Sequence, residues 1–421
     1  MPELFPFPGL RYQPGALQTD LGAVTAPPYD VIDEEGRARL VAAHPHNAVR
    51  LILPRDVEPG DRYEQARATF EQWQADGVLA ADAPHLYVYR MAFTDEGGTA
   101  RSMTGVVGAL ELAALGEGVL PHERTMRKAK SDRLDLLRSV RANLDPVWML
   151  SPAAGLSDVL EAACDGSAPA ASCVDEGGVE HCLFPVGGEV VDHIRETIGG
   201  APLIIADGHH RYETALAYRD ERRAAGADDP GAERIMALVV ELADEQLFVQ
   251  PIHRLIFGAS GNFLGKLNTV AEVEPMGPNN PEGVRHLLAE MERTEGFGLV
   301  AGPGLALLRP RLEMLRAGLE QLPDPLWEVD TALLDVLMNT LYAQREAMKM
   351  PDDIVIDFRH DAQAVAAMSA KGAVEAAILL RPVSVAQIEA VAEAGLRMPQ
   401  KTTFFQPKPL TGLVFRSLDR S

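Results

Sequence analysis

The sequence predicts a mixed α/β fold in several domains, and three observations predict it. Short apolar runs bounded by Gly, Pro and Asp alternate with longer stretches whose apolar residues recur every three or four positions. The last segment reads helix (332–348), strand (353–358), helix (362–370), strand (376–380) and helix (385–394), an α/β pattern. A length of 421 residues, 47% of them hydrophobic, supports two or three full cores. Three domains are expected, over 1–115, 116–260 and 261–421.

Composition narrows the function. A formal net charge of -22 argues against a non-specific binder of nucleic acid or of anionic membranes, since both need an excess of Lys and Arg. The start, MPELFPFPGLRYQPG, carries four prolines and no basic-then-apolar signal, and no stretch is apolar enough to span a bilayer. A cytoplasmic protein is expected. Cys164, Cys173 and Cys182 are too few and too far apart for a zinc ribbon or a disulfide framework. No HExxH, Walker A, GxGxxG after a strand or GxSxG elbow occurs, and GNFLGK (261–266) has the wrong spacing for a phosphate loop.

Taken in order, residues 1–30 are proline-rich and end in APPYD, an extended segment in which Tyr29 and Asp30 could touch a ligand or simply pack. AVRLIL (48–53) reads as a strand. Arg50 inside it is either paired with a buried carboxylate or exposed at a site. DRYEQARATFEQWQAD (61–76) is an amphipathic helix with Tyr63, Ala66, Phe70 and Trp73 on one face. LYVYRMAF and MTGVVGALEL, around Glu96-Gly97-Gly98, predict a hairpin.

PHERTMRKAKSDR (121–133) then concentrates Arg124, Arg127, Lys128, Lys130 and Arg133 in an acidic chain. With His122, Glu123 and Thr125 it is either a local anion site or a solvated helix start. Residues 171–186 predict another hairpin, and 234–241 and 247–257 two further strands. His253 and Arg254 in the second face either a site or a core partner.

The most informative stretch is APLIIADGHHRYETALAY (201–218): a short buried strand, an Asp207-Gly208 turn, then a helix opening on His209, His210 and Arg211. Such a helix start offers backbone N–H groups and the positive end of the dipole to an anion, and a guanidinium adds a two-pronged phosphate contact. The same residues also serve as ordinary chain punctuation. MPQKTTFFQPKPLTGLVF (398–415) lies in a stretch without carboxylates that holds Arg397, Lys401, Lys408 and Arg416. Lys401 with Thr402 or Thr403 are natural donors to an anion.

APPYDVI, HPHNAVRLILP, PHERTMRKAKSDR, ADGHHRYETAL, PIHRLI and MPQKTTFF, in this order along nearly the whole chain, resemble the prokaryotic family catalogued as domain of unknown function 1015. A typical member has Pro at Arg127 and Ser at Thr402. Separately, IIADGHHRYETAL resembles the Gly-x-His-Arg phosphate turn of the ParB and sulfiredoxin superfamily, which includes a free-serine kinase. That resemblance implies a strand-turn-helix phosphate site and a nucleotide, ATP or ADP, as ligand.

Together these readings predict one polyanion pocket built from Asp207, Gly208, His209, His210 and Arg211, with His122, Glu123, Arg124, Thr125, Lys128, Lys130, Lys401, Thr402 and Arg50 contributing. The expected function is nucleotide-dependent phosphotransfer to a small hydroxylated metabolite, with serine as a candidate. His209 or Glu123 would take the hydroxyl proton and Asp207 would hold Mg²⁺. Two alternatives stay open: a phosphomonoester hydrolase for a phosphoserine-like substrate, and a non-catalytic nucleotide-binding regulator of ParB-like type. A phosphorylated small molecule is the expected partner, with no nucleic acid or membrane, and a homodimer is open.

Overall fold

The computed structural model describes all residues except 57–59, 95–97, 125–127, 244–246, 259–262, 344–353 and 421. It is a mixed α/β protein. Its chain divides into two compact units: Met1–Pro121 with Thr125–Phe248 and Pro407–Ser421, and His122–Arg124 with Val249–Gln406. This differs from three consecutive domains for a physical reason. Strand Arg234–Glu241 pairs along Ala100–Glu111, so the first and central segments share one sheet.

The first unit is built on a nine-stranded sheet. Its main path runs Val119–Pro121, Leu203–Asp207, Val147–Ser151, Arg234–Glu241, Ala100–Glu111, Leu86–Thr94, Glu180–Val186 and Ala171–Val174. Both expected hairpins form, Leu86–Thr94 with Ala100–Glu111 and Ala171–Val174 with Glu180–Val186. Strand Leu203–Asp207 runs parallel to Val119–Pro121 and antiparallel to Val147–Ser151. Flanked on both sides, it reads as the uninterrupted apolar run LIIA.

One face of this sheet packs Val88, Val106, Met149, Ile205 and Val239 against Leu156, Leu160, Ile194, Tyr212 and Ala215 from three helices. A second core gathers Phe70 and Trp73 of helix Arg62–Ala75 with Leu51, Ile52, Leu136 and Phe415. The C-terminal segment is tied in by reciprocal backbone bonds between Leu10 and Phe415. Arg416 is buried beside them and donates to Asn143 Oδ1 and to the carbonyls of Gly231 and Arg234.

AVRLIL is not a strand. Val49–Ile52 forms a short helix whose Val49, Leu51 and Ile52 are fully buried. A short, mostly apolar run is ambiguous between strand and helix. Asn47 resolves it, because its Oδ1 accepts from Val49 N while its Nδ2 donates to the carbonyls of Ala23 and Thr25. This local side-chain bridge from the residue before the N-cap outweighs the β preference of the side chains.

The second unit contains a six-stranded antiparallel sheet, ordered Ala271–Pro278, Gly304–Pro310, Phe297–Ala301, Ala376–Leu379, His253–Phe257 and Val355–Arg359. Period-two alternation sends Ile256, Leu308 and Ile378 to one face and Leu255, Leu307 and Ala377 to the other. Helices Phe263–Val270, Leu312–Leu319 and Asp330–Ala343 cover the first face; Pro281–Thr294 and Ala362–Ala370 cover the second. The run 247–257 is two strands, Phe248–Pro251 and His253–Phe257. His253 is a core residue whose Nδ1 accepts from Leu380 N at 3.2 Å, and burial pushes it down to about 4.

Candidate functional site

In the first unit, strand Leu203–Asp207 ends at Gly208, which adopts φ 90 and ψ 26, and helix His209–Ala224 starts at the next residue. The left-handed backbone suits Gly, whose lack of Cβ removes the steric penalty. Packing requires it as well. A Cβ at Gly208 would stand 2.8 Å from Arg211 Nε and 3.0 Å from Cζ, because the guanidinium folds back over the turn. The strand-turn-helix at 201–218 therefore forms as the sequence predicts.

The charges are arranged differently from a simple phosphate clamp. Arg211 Nη2 donates to Asp207 Oδ2 at 2.7 Å, and Nη1 donates to the Pro146 carbonyl at 2.5 Å. Lys408 Nζ donates to the other carboxylate oxygen, Oδ1, at 2.8 Å. Burial alone would raise the Asp207 pKa, yet Lys408 and Arg211 together hold this carboxyl far below the usual carboxylate range. Arg211 is held in its charged form despite burial, by Asp207, Asp145, Asp30 and Tyr29.

Behind Arg211 lies a cavity of about 60 Å³ lined by Tyr29, Arg133, Asn143, Asp145, Arg211 and Thr214 together with apolar side chains. The Arg133 guanidinium lies over the Tyr29 ring, 4.4 Å from its centroid, and donates to the Ile52 carbonyl and to Asp132. Burial pushes the Tyr29 hydroxyl up to about 12. Asp145 accepts a hydrogen bond from the Thr411 hydroxyl, and burial pushes its carboxyl up to about 6 against the opposing pull of Arg211 and Arg133.

A carboxyl shifted this way binds its proton more tightly folded than unfolded, where its pKa is about 3.9. Its contribution to stability is therefore complete below about pH 4 and falls as pH rises through 6. Asp145→Asn, whose Oδ1 can still accept from Thr411, is expected to match the wild type at pH 4. At pH 8 it should exceed it by about 2–3 kcal/mol. Urea unfolding at the two pH values measures this, and a variant no more stable at pH 8 contradicts the assignment.

The second unit brings together another part of the expected pocket, in a structural role. Glu123 Oε1 accepts from Lys401 N at 2.7 Å, and Oε2 accepts from Thr402 N and Thr403 N at 3.1 and 3.4 Å. Lys401 has φ 57, which turns successive amides towards the carboxylate as a backbone nest. Arg254 donates to the carbonyls of Gln400 and Lys401 at this same turn. His122 is buried, with Nε2 at 2.9 Å from the Thr403 hydroxyl. Thr402 is also buried and donates its hydroxyl to the Pro399 carbonyl.

Several expected roles change accordingly. Glu123 is committed to three backbone amides, which displaces the reading of it as a proton acceptor. Thr402 directs its hydroxyl to its own turn. Arg50 donates to the Val41 carbonyl, and among the described residues it forms no ion pair with a carboxylate. Asp207 has both oxygens engaged by cations, which leaves it a poor Mg²⁺ ligand. No group of three or more His, Cys, Asp or Glu that could hold a metal occurs among the described residues. Asp30 and Arg124 are exposed, and the Arg124 N–H bonds to the Met398 carbonyl. Lys128 and Lys130 lie on helix Lys128–Val140, and Thr125 falls outside the described residues.

Sequence reasoning missed Asp145, which stands before Pro146 and suggests only a chain break, and Thr214, indistinguishable from a helix-face residue. Lys408 carried a usable signal: a cation in a stretch free of carboxylates needs a partner elsewhere.

No helix among the described residues is long and apolar enough to cross a membrane. No curated protein matches the chain. Among solved structures, it is similar to a conserved hypothetical protein from Pyrococcus furiosus, at a TM-score of 0.37 and 14% identity over 72% of this chain and 93% of that one. A free serine kinase in complex with AMP gives 0.38 and 14%, over 72% and 89%. SbnI with a C-terminal truncation, from Staphylococcus aureus, gives 0.33 and 10%, over 72% and 85%. Likenesses this distant carry nothing about chemistry. The family model for protein of unknown function (DUF1015) matches residues 4–332, and the chain belongs to that family.

Proposed function

We propose that this protein is a nucleotide-dependent phosphotransferase acting on a small hydroxylated metabolite, with serine the first acceptor to test. The observation that carries the reading is the Gly208 turn, where a buried strand passes through one left-handed glycine directly into a helix of 16 residues. The first amides of such a helix and its dipole favour a phosphate group. His209 and His210 open that helix, and an imidazole there is suited to take the acceptor's hydroxyl proton near neutral pH. Serine enters through the resemblance of IIADGHHRYETAL to the phosphate turn of a superfamily that includes a free-serine kinase.

Arg211 serves this site from behind. Locked between Asp207 and the Pro146 carbonyl, it fixes the turn and adds positive potential, while direct phosphate contacts fall to the backbone. ATP or ADP supplies the phosphoryl group in this reading. A drug-sized ligand needs roughly 300 Å³ or more, so base and ribose lie outside the cavity of about 60 Å³ behind Arg211. Asp207 as found does not fit Mg²⁺, and no step is assigned to the metal.

The test combines ligand-dependent thermal unfolding with turnover. ATP or ADP at 100 times its dissociation constant should add about 2.7 kcal/mol to stability. ADP formation should depend on added serine, and His210→Gln should lower turnover more than it lowers stability. A nucleotide shift without turnover identifies a binding regulator instead. Phosphate release from phosphoserine without nucleotide identifies a phosphomonoesterase. No shift and no turnover with any of these leaves the turn as structure and ends the phosphotransfer reading.

A further inference from the structure

In the first unit, helix Glu34–Ala43 meets residues 50–55 along one face, and the contacts run in opposite directions along the two segments. Glu34 pairs with Arg55, Arg37 Nε donates to the Leu53 carbonyl at 2.8 Å, and Arg50 Nη2 donates to the Val41 carbonyl at 3.0 Å. Positions 34, 37 and 41 recur at the spacing that shares a helix face. At a rise of 1.5 Å per residue, these three contacts lie about 4.5 and 6 Å apart along the axis. Arg55, Arg37 and Arg50 therefore follow one another along a single seam.

One carboxylate serves this trio. Glu34 pairs with Arg55, and among the described residues neither Arg37 nor Arg50 forms an ion pair. Arg37 uses only Nε, so its two terminal nitrogens have no partner among the described residues. They are open to solvent, because the one enclosed and unpartnered nitrogen in the trio is Arg50 Nε. Burial lowers the Arg37 pKa, and the charges of Arg55 and Arg50 lower it further against the pull of Glu34. Like charges held this close disfavour one another, and an anion placed among them removes that cost. In a chain of net charge -22, a seam with three cations to one carboxylate is a local inversion of sign.

We propose that this seam binds the phosphate group of a phosphate monoester, with the terminal nitrogens of Arg37 on two oxygens and Arg55 turning from Glu34 to a third. Arg50 stays on the Val41 carbonyl and adds positive charge. A phosphate monoester carries nearly two negative charges at neutral pH, which matches three Arg less one Glu. Its oxygens suit the planar guanidinium fork. The side chains of Arg55 and Glu34 are 54% and 76% exposed, and a pair so exposed holds weakly enough to be exchanged. This site goes beyond the phosphotransfer reading, since it uses neither the Gly208 turn nor a nucleotide.

The experiment is calorimetric titration of the full chain, without nucleotide, at about pH 7.5 and constant ionic strength, with glycerol phosphate, inorganic phosphate and acetate. Glycerol phosphate should bind at millimolar concentration or better, and acetate at least about tenfold more weakly. Arg37→Gln should weaken glycerol phosphate at least about tenfold, and Arg37→Lys should recover part of that loss by restoring the charge without the fork. Glu34→Gln should tighten binding about threefold, because Arg55 then has no competing carboxylate. Arginines that only tie the two segments together would not produce that gain. If Arg37→Gln does not fold, Glu34→Gln, at an exposed position, decides alone. No heat with glycerol phosphate, acetate bound as well as the ester, or unchanged binding in Arg37→Gln or Glu34→Gln overturns the proposal. Phosphate that still binds Arg37→Gln at full strength sits elsewhere, with the Gly208 turn the first place to look.

Discussion

Asp207→Ala is expected to destabilise the first unit by about 3–5 kcal/mol, the usual cost of removing one partner from a buried ion pair. The side chains of Arg211 and Lys408 are each only 10% exposed, and both donate to this one carboxylate. Removing it takes from both cations the carboxylate they share, and leaves Arg211 with only the longer-range pull of Asp145 and Asp30. Lys408→Met should cost clearly less, because Asp207 keeps Arg211. The pH dependence follows from the direction of the Asp207 shift. A carboxyl held below its unfolded pKa contributes stability that is complete above about pH 4 and is lost as pH falls further. Urea unfolding of wild type, Asp207→Ala and Lys408→Met at pH 7 measures the difference. A loss under about 1 kcal/mol for Asp207→Ala is the surface-pair value, and it would mean that the network is solvated.

Gly208→Ala is the second large effect, at about 2–4 kcal/mol. Two terms contribute to it. A left-handed backbone costs an L-residue roughly 1–2 kcal/mol. The added methyl then meets Arg211 Nε at 2.8 Å, and that side chain cannot swing away without giving up Asp207 and Pro146. Gly155→Ala separates the terms. Gly155 also caps a helix, at φ 87, but a Cβ there meets nothing within 4 Å. It should show the backbone term alone. Equal losses at the two glycines would remove the packing argument, and with it the link between the turn and the position of Arg211.

Much of the architecture was legible because its physics is local. LIIA before Asp207-Gly208 and the helical spacing after it identify the strand-turn-helix, and Ala66, Phe70 and Trp73 mark one helix face unaided. AVRLIL was not legible, since a side chain outside the run, that of Asn47, decides between strand and helix. The site was legible in its residue types and less so in their tasks. Glu123, Thr402 and Arg50 stood out as chemically capable, yet each is consumed by backbone groups that no sequence pattern reveals. Lys408 and Asp207 lie 201 positions apart, and charge alone could say only that such a cation needs a partner. Asp145 and Thr214 acquire meaning from a cavity, which exists only after folding.

The split composition of the first unit also sets a timetable. Its last piece, Pro407–Ser421, supplies Lys408, Thr411 and Arg416, and follows the long segment Val249–Gln406 of the other unit. At about 5–20 residues per second of synthesis, those side chains emerge roughly ten to forty seconds after Arg211. Throughout that interval the nascent turn holds Asp207 with one cation in place of two, and Asp145 lacks its hydroxyl donor. The turn reaches its final charge balance only after Lys408 and Thr411 have left the ribosome, so a product that stops short of them carries an incomplete turn.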